Sequence, residues 1–324
     1  MLKRKSRSMY GIQVRRKRTV HTMLAVVCIG LLISSGVIVF FSWRDRLRNE
    51  RKELTRLWEE GSFEKIFDLS RARLETQPMD YFLLTLHGFS AYQCAVAQIN
   101  SYDIQTYIDA CIWSLRKALL CREGPGDLRI HYVLGKAYYY KGAAYADMAV
   151  KFLAAAKEGD YPAGDLPEYL GLAYAAIHDY RNSVAAFSLV LDPLTERAGG
   201  ADAPQNRTPS DLLLLSIARS YLALEEPDAA RAYLIRCVET SRDSNILVAA
   251  RLLLGEIYGK SGDAVGAEAQ YLAILEEGGE NADAHYQLGE VYAAGGDPTR
   301  ARAEWRRAVR IDPTHGPART RLNM

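Results

Sequence analysis

The chain is 324 residues long and carries 41 Lys and Arg against 39 Asp and Glu, a net charge of +2. That near-balance conceals an asymmetry: the first 22 residues hold eight basic side chains and no acid, so everything after them carries about −6 and the compositional ground for nucleic-acid binding disappears. Six histidines without His-x-x-x-His or His-Glu-x-x-His spacing, and five cysteines without Cys-x-x-Cys spacing, give no pattern for a metal and imply no cofactor.

Residues 1–22 read as a basic cytoplasmic tail, and Met23 to Trp43 as a transmembrane helix. No Lys, Arg, Asp or Glu occurs from Thr19 through Trp43, and about 20 apolar residues suffice to cross a ~30 Å hydrocarbon core. Phe40, Phe41 and Trp43 stand where an interfacial aromatic belt belongs. A cleaved signal peptide fits less well, because the apolar run exceeds an h-region of roughly 7 to 15 residues and no small-x-small site follows it. Val27 before Cys28 argues against lipoprotein processing, and Lys17-Arg18-Thr19 does not continue a twin-arginine signal after Arg15-Arg16. Eight basic residues precede the span against five from Arg44 to Glu53, which favours a cytoplasmic N-terminus. The remainder is then expected outside the cytoplasmic membrane, in the periplasm of a diderm host. Gly30 and Ser34 form one small-xxx-small pair within the span.

From residue 44 the pattern turns helical and repetitive. Leu47 to Pro78 carries a turn at Gly61-Ser62, and Asp80 to Cys121 reads as an elongated hairpin broken at Asn100 to Asp103, with Ser101 or Asp103 as the cap of its second helix. A signature of Leu or Ile, Gly or Ala, and a tyrosine three positions on then recurs five times. It reads Leu134-Gly135 with Tyr138, Leu170-Gly171 with Tyr174, Ile217-Ala218 with Tyr221, Leu254-Gly255 with Tyr258, and Leu288-Gly289 with Tyr292. Successive small residues are 36, 47, 37 and 34 positions apart. Twelve positions after the small residue comes another, and four later a bulky one: Ser183 and Phe187, Ala230 and Leu234, Ala267 and Tyr271, Ala301 and Trp305. Two helices approach to about 8 to 10 Å where small side chains face each other. The unit from Asp127 fits if its turn is two residues longer, bringing Ala149 and Leu153 into register. Residues 193–210 have the composition of a flexible loop between a membrane-proximal block, 44–192, and a C-terminal block, 211–315. Residues 316–324 form a short cap, leaving a distal face open for self-association.

This 34-residue period with its Gly/Ala and Tyr positions resembles the tetratricopeptide repeat (TPR). The resemblance spans roughly residues 47 to 315 and implies an all-α fold, a right-handed superhelical solenoid of helix hairpins, here preceded by one transmembrane helix. It implies a binding scaffold whose concave side is lined by the first helix of each hairpin and holds another protein or a peptide segment. In this family the variable groove positions are the second, fifth, ninth, twelfth and thirteenth of each repeat. With Gly135 as the eighth, they give Arg129, Tyr132, Lys136, Tyr139 and Tyr140. The following repeats contribute Leu172, Arg219, Glu256, Lys260, Tyr286 and Glu290. Tyr132, Tyr139 and Tyr140 around Lys136 suit a peptide grip, three aromatic faces and a cation on one helix. They equally suit packing against the elongated neighbouring hairpin. The Lys/Asn carboxylate clamp of chaperone-tail-binding TPR domains is absent from these positions.

No catalytic constellation emerges. Gly255 to Ser261 superficially resembles a P-loop but has three residues between its glycines where that motif needs four. Cys94, Cys111 and Cys121 read as small buried hydrophobes, or as a disulfide staple of the elongated hairpin in an oxidising compartment. Asn206-Arg207-Thr208 is a glycosylation sequon with meaning only in a eukaryotic secretory protein. The expected function is that of a non-enzymatic, membrane-anchored adaptor in the cell envelope, serving assembly or secretion. A chaperone-like holdase for exported, partly unfolded chains is the alternative.

Overall fold

The computed structural model describes Arg48 and residues 51–191 and 209–323. The basic tail, the span at Met23 to Trp43, Cys28 and the sequon lie outside the described residues, as does most of the expected loop. Among the described residues there is no strand, and no helix is long and apolar enough to cross a membrane.

The chain divides into two compact units, residues 1–72 and 73–324. In the first, α1 (residues 51–59) leads through a tight turn into α2 (Phe63–Leu74). Gly61 supplies the turn with a φ of 69°, the left-handed region that glycine enters without steric cost. Trp58 and Phe63 meet edge to face across it, centroids 5.1 Å apart, and Leu54, Leu57 and Ile66 are buried.

The second unit is a run of hairpins. These are α3 (Tyr81–Ala97) with α4 (Ser101–Ala118), α5 (Leu128–Lys141) with α6 (Ala146–Glu158), and α7 (Leu166–Ala176) with α8 (Tyr180–Leu191). Beyond residue 208 follow α9 (Asp211–Ala223) with α10 (Pro227–Thr240), α11 (Ser244–Lys260) with α12 (Ala264–Gly278), and α13 (Ala282–Ala294) with α14 (Pro298–Ile311). A last helix, α15 (Gly316–Asn323), ends the array. From α4 onward each helix packs on its predecessor, and the first helices also pack on one another, α3 on α5, α5 on α7, α7 on α9, α9 on α11 and α11 on α13. The first helices therefore line one continuous face. Helices α8 and α9 pack together as well, so the hairpins on either side of residues 192–208 share one compact unit.

What sets the hairpin geometry is the signature residue itself. A Cβ placed on Gly171 would lie 2.5 Å from the Phe187 ring, on Gly255 2.6 Å from Tyr271, and on Gly289 2.5 Å from Trp305. On Gly88 it would lie 2.5 Å from Leu115, and on Gly135 it would run into Leu153. Each bulky partner belongs to the second helix of the same hairpin and is buried. Burying such a side chain contributes about 1.5–3 kcal/mol, and the missing Cβ is what lets the helices close onto it. In the third of these hairpins Ser183, fully buried, donates to the Gly171 carbonyl at 2.9 Å and shares a 3.1 Å hydrogen bond with Ser220 of α9.

The signature tyrosine marks the other end of the first helix. The carbonyls of Tyr174, Tyr221, Tyr258 and Tyr292 each accept a 2.9 Å hydrogen bond from the amide five residues on, at Asp179, Glu226, Asp263 and Asp297. That ring closes the hairpin turn and requires one residue at positive φ, filled by His178 and Glu225 (both 62°) and by Gly262 and Gly296. The unit from Asp127 departs as its spacing predicts, with Gly142 and a short 3-10 turn at Ala143–Tyr145 between α5 and α6.

The expected cap of α4 is corrected. Asn100, and neither Ser101 nor Asp103, caps α4: its backbone is extended and its side chain accepts from the Tyr102 amide at 2.9 Å, while Ser101 is already helical. Of the two readings left open for the cysteines, the structure favours the buried hydrophobes: Cys94 and Cys111 fill core positions, and no disulfide joins Cys94, Cys111 and Cys121. Burial pushes the Cys237 thiol up to about 11.

Gly171→Ala adds a methyl against a ring that cannot move aside. Overpacking costs about 1–3 kcal/mol and outweighs the gain in helix propensity of at most ~1 kcal/mol. A lower urea midpoint than that of the unmodified protein is the expected result.

Candidate functional site

All eleven expected groove residues sit on first helices, α5, α7, α9, α11 and α13, and most of them are engaged with the protein's own side chains. At the N-terminal end of the face lined by the first helices, the group on α5 closes on α7. Lys136 is buried, and its ammonium donates to Asp165 Oδ2 at 2.9 Å and to the Tyr132 hydroxyl at 3.1 Å. Tyr132 in turn donates to Asp165 Oδ1 at 2.5 Å. The same ammonium lies 4.3 Å from the centroid of the Tyr169 ring, 5.1 Å from that of Tyr132 and 5.6 Å from that of Tyr92.

Aromatic packing completes this clasp. Tyr140 shares a 2.9 Å hydroxyl hydrogen bond with Tyr169 and lies 6.2 Å from Tyr92 of α3, while Tyr139 meets Tyr169 edge-on at 5.4 Å. Tyr132 is 5.0 Å from Tyr161. Burial first, then the hydrogen bond to Asp165, raises the Tyr132 hydroxyl above the ordinary phenol range, and burial with the Tyr140 contact does the same for Tyr169. Both remain neutral donors at physiological pH. The geometry thus gives Tyr139 and Tyr140 the packing role, with Tyr92 of the elongated hairpin in direct ring contact and Gln105 of α4 donating to the Tyr140 carbonyl at 3.0 Å.

Asp165 and Tyr169 were not among the sequence candidates. A signal existed: counting back from Gly171 as the eighth position makes Asp165 the second position of its repeat, equivalent to Arg129. Arg129 itself is exposed but folded onto Asp127, with bonds of 2.9 and 2.6 Å. Burial works against the Asp127 carboxylate, yet the Arg129 and Tyr81 hydrogen bonds prevail and hold it below the usual carboxylate range.

At the C-terminal end the cap helix occupies the face. Arg321 of α15 makes a two-pronged pair with Glu290, at 2.9 and 2.5 Å, and lies over Trp305. Tyr286 stacks obliquely on His315, centroids 5.2 Å apart, and packs on the cluster of Ala301, Trp305, Ala308 and Ala318. Ala318 is fully buried, so α15 covers the part of the distal face that its shortness had left in question. Leu172 is likewise drawn inward, against Phe187, Leu213 and Ile217.

Three expected residues remain outward in the middle of the C-terminal hairpins. Arg219 is exposed and makes no ion pair among the described residues. Glu256 and Lys260 pair with each other at 2.7 Å on the exposed side of α11. Both line an open cleft of about 730 Å³ whose floor is Leu222, Leu253 and Ile257. Its volume lies in the range of ~300–1,000 Å³ usual for ligand sites. Among the described residues no group of three or more His, Cys, Asp and Glu is placed to hold a metal ion.

An array of paired helices with this small-against-bulky register has the fold of a tetratricopeptide solenoid, and comparison with known proteins agrees on the fold. Tetratricopeptide-repeat family models match residues 252–315 and 213–244. The fold is similar to the C-terminal part of a TPR repeat-containing protein from Cytophaga hutchinsonii, with a TM-score of 0.58 at 15% identity over 85% of this chain and all of that one. It is similar to YrrB, described as a TPR protein with an unusual peptide-binding site, at a TM-score of 0.51 and 23% identity over 65% of this chain and 98% of that one. Pseudomonas aeruginosa pilF gives 0.51 at 15% identity, covering 72% and 95%. No curated protein matches the chain in sequence.

Lys136→Met removes the cation of the near-buried ion pair and leaves the charge of Asp165, whose side chain keeps 24% of its exposure, without its countercharge from Lys136. Truncating a fully buried pair costs about 3–5 kcal/mol, and this partial exposure reduces the expected loss to about 2–3 kcal/mol. Adding Asp165→Asn should restore part of it, since residues in one network couple by roughly 0.5–3 kcal/mol. Urea titration of the two single variants and the double variant measures both.

Proposed function

We propose that this protein is a non-enzymatic interaction scaffold that recruits a protein partner through the middle of its C-terminal hairpins, and that it does so while held to a membrane by residues 23–43. The observation that carries the reading is the distribution of engaged and open positions on one face. Tyr132, Lys136, Tyr139 and Tyr140 are consumed by the clasp on α7, and Tyr286 and Glu290 by α15, whereas Arg219 stays exposed and Glu256 and Lys260 line an open cleft with an apolar floor. Apolar contacts ringed by polar groups are the usual anatomy of a recognition surface. Peptide binding by YrrB, which shares the fold, lends the same direction.

Support for the anchor is the uncharged stretch from Thr19 through Trp43 with its flanking bases. With the N-terminus cytoplasmic, the repeats act on the outer side of the cytoplasmic membrane, in envelope assembly or secretion. One experiment addresses anchor and role together: mild cross-linking of intact cells, alkaline extraction of their membranes, and mass spectrometry of what is attached. Retention in the extracted membrane with one stoichiometric extracytoplasmic partner is the expected result. Release into the alkaline supernatant contradicts the anchor, exclusively cytoplasmic partners contradict the orientation, and a broad set of exported chains favours the holdase.

A further inference from the structure

The cleft between α9–α10 and α11 has a chemistry specific enough to name its occupant, and the inference rests on the scaffold reading above. Its floor is apolar: Ile257 is buried, and Leu222 and Leu253 are half-buried parts of the same core. Two ion pairs flank it, Arg231 with Asp228 at 2.9 Å and Lys260 with Glu256 at 2.7 Å, so four of its five charged groups are internally balanced. The fifth is Glu225, which is exposed and makes no ion pair among the described residues.

The position of Glu225 is also costly. It is the turn residue at a φ of 62°, a place that the next two repeats give to Gly262 and Gly296. A non-glycine residue there bears about 1–2 kcal/mol of strain, and strained residues cluster at functional sites. The turn fixes this carboxylate at the mouth of an apolar cleft, where a cation from outside meets it without having to displace an existing partner.

We propose that the cleft binds a partner segment in which a bulky apolar side chain stands next to a lysine or arginine, the apolar group lying on Leu222, Leu253 and Ile257 and the cation on Glu225. Charge complementarity selects this occupant: with both flanking pairs closed, the cleft presents one net negative charge. An acidic segment meets repulsion at Glu225, and a purely apolar one leaves that carboxylate without a partner.

The test is selection from a phage-displayed library of random 12-residue peptides on the full chain held in lipid nanodiscs, followed by binding measurements with a selected peptide. Two variants accompany it. Ala223→Trp fills the cleft from an exposed position at the end of α9, and Glu225→Lys reverses the charge; circular dichroism melts verify that both stay folded. Enrichment of sequences pairing a bulky apolar residue with Lys or Arg is expected. Ala223→Trp should weaken the selected peptide by about tenfold or more, as loss of a hot-spot pocket does, and Glu225→Lys should turn the basic preference into an acidic one. Peptides without a basic bias, or peptides that bind Ala223→Trp as well as the unmodified chain, overturn the inference. If no peptide is enriched while the cross-linked cells still yield a partner, the cleft inference fails and the scaffold reading stands.

Discussion

The approach of a side-chain-free backbone to a bulky residue on the neighbouring helix is the constraint from which the rest of this array follows. Gly88, Gly135, Gly171, Gly255 and Gly289 each leave the space that Leu115, Leu153, Phe187, Tyr271 and Trp305 fill. Ala218 keeps the same register with Leu234 opposite, both fully buried. Once that distance is set, the turn is short, the signature tyrosine's carbonyl closes it, and the first helices are forced to stack beside one another along one face. Close packing of this kind leaves little tolerance for added volume.

A stacked face of first helices is only a potential binding surface, and its use depends on what the chain does with it locally. At α5 and α7 the polar and aromatic groups turn toward each other. A cation buried among tyrosines is favourable because Asp165 balances its charge and three rings take part of its solvation. At α13 the cap helix supplies Arg321 to Glu290 and buries Ala318. Between these closed ends, α9, α10 and α11 border a cleft with an apolar floor flanked by ion pairs. Surface ion pairs of this sort contribute little to stability, about 0–1 kcal/mol, and their significance here lies in leaving Glu225 as the unbalanced charge.

Much of this was legible from residue spacing, because a 34-residue period fixes which residues meet across a hairpin. The small-against-bulky pairs, the turn glycines and the lengthened turn at Gly142 all follow from counting. The rest was set by the local backbone at one cap and by contacts between repeats. Asn100 and Ser101 are both competent caps, and only the backbone at Asn100 decides between them. Lys136 and its tyrosines suited an outward grip and inward packing equally, because their partners, Asp165 and Tyr169, belong to the next repeat and follow an irregular loop. Glu290 read as an open groove position because its occupant, Arg321, comes from a helix whose docking no periodicity encodes.

The N-terminal part of this face is closed by its own side chains while the middle of the C-terminal hairpins stays open, and two lysines report on the difference. Lys136 keeps 10% of its side-chain exposure and Lys260 keeps 77%. Brief labelling of the folded, full-length protein with an amine-reactive ester, read residue by residue by mass spectrometry, compares them directly. Rapid modification of Lys260 and protection of Lys136 until denaturant is added are the expected results. Comparable labelling of both lysines in the folded protein would contradict that closure, because the clasp on α7 would then be open and the face unselective along its length.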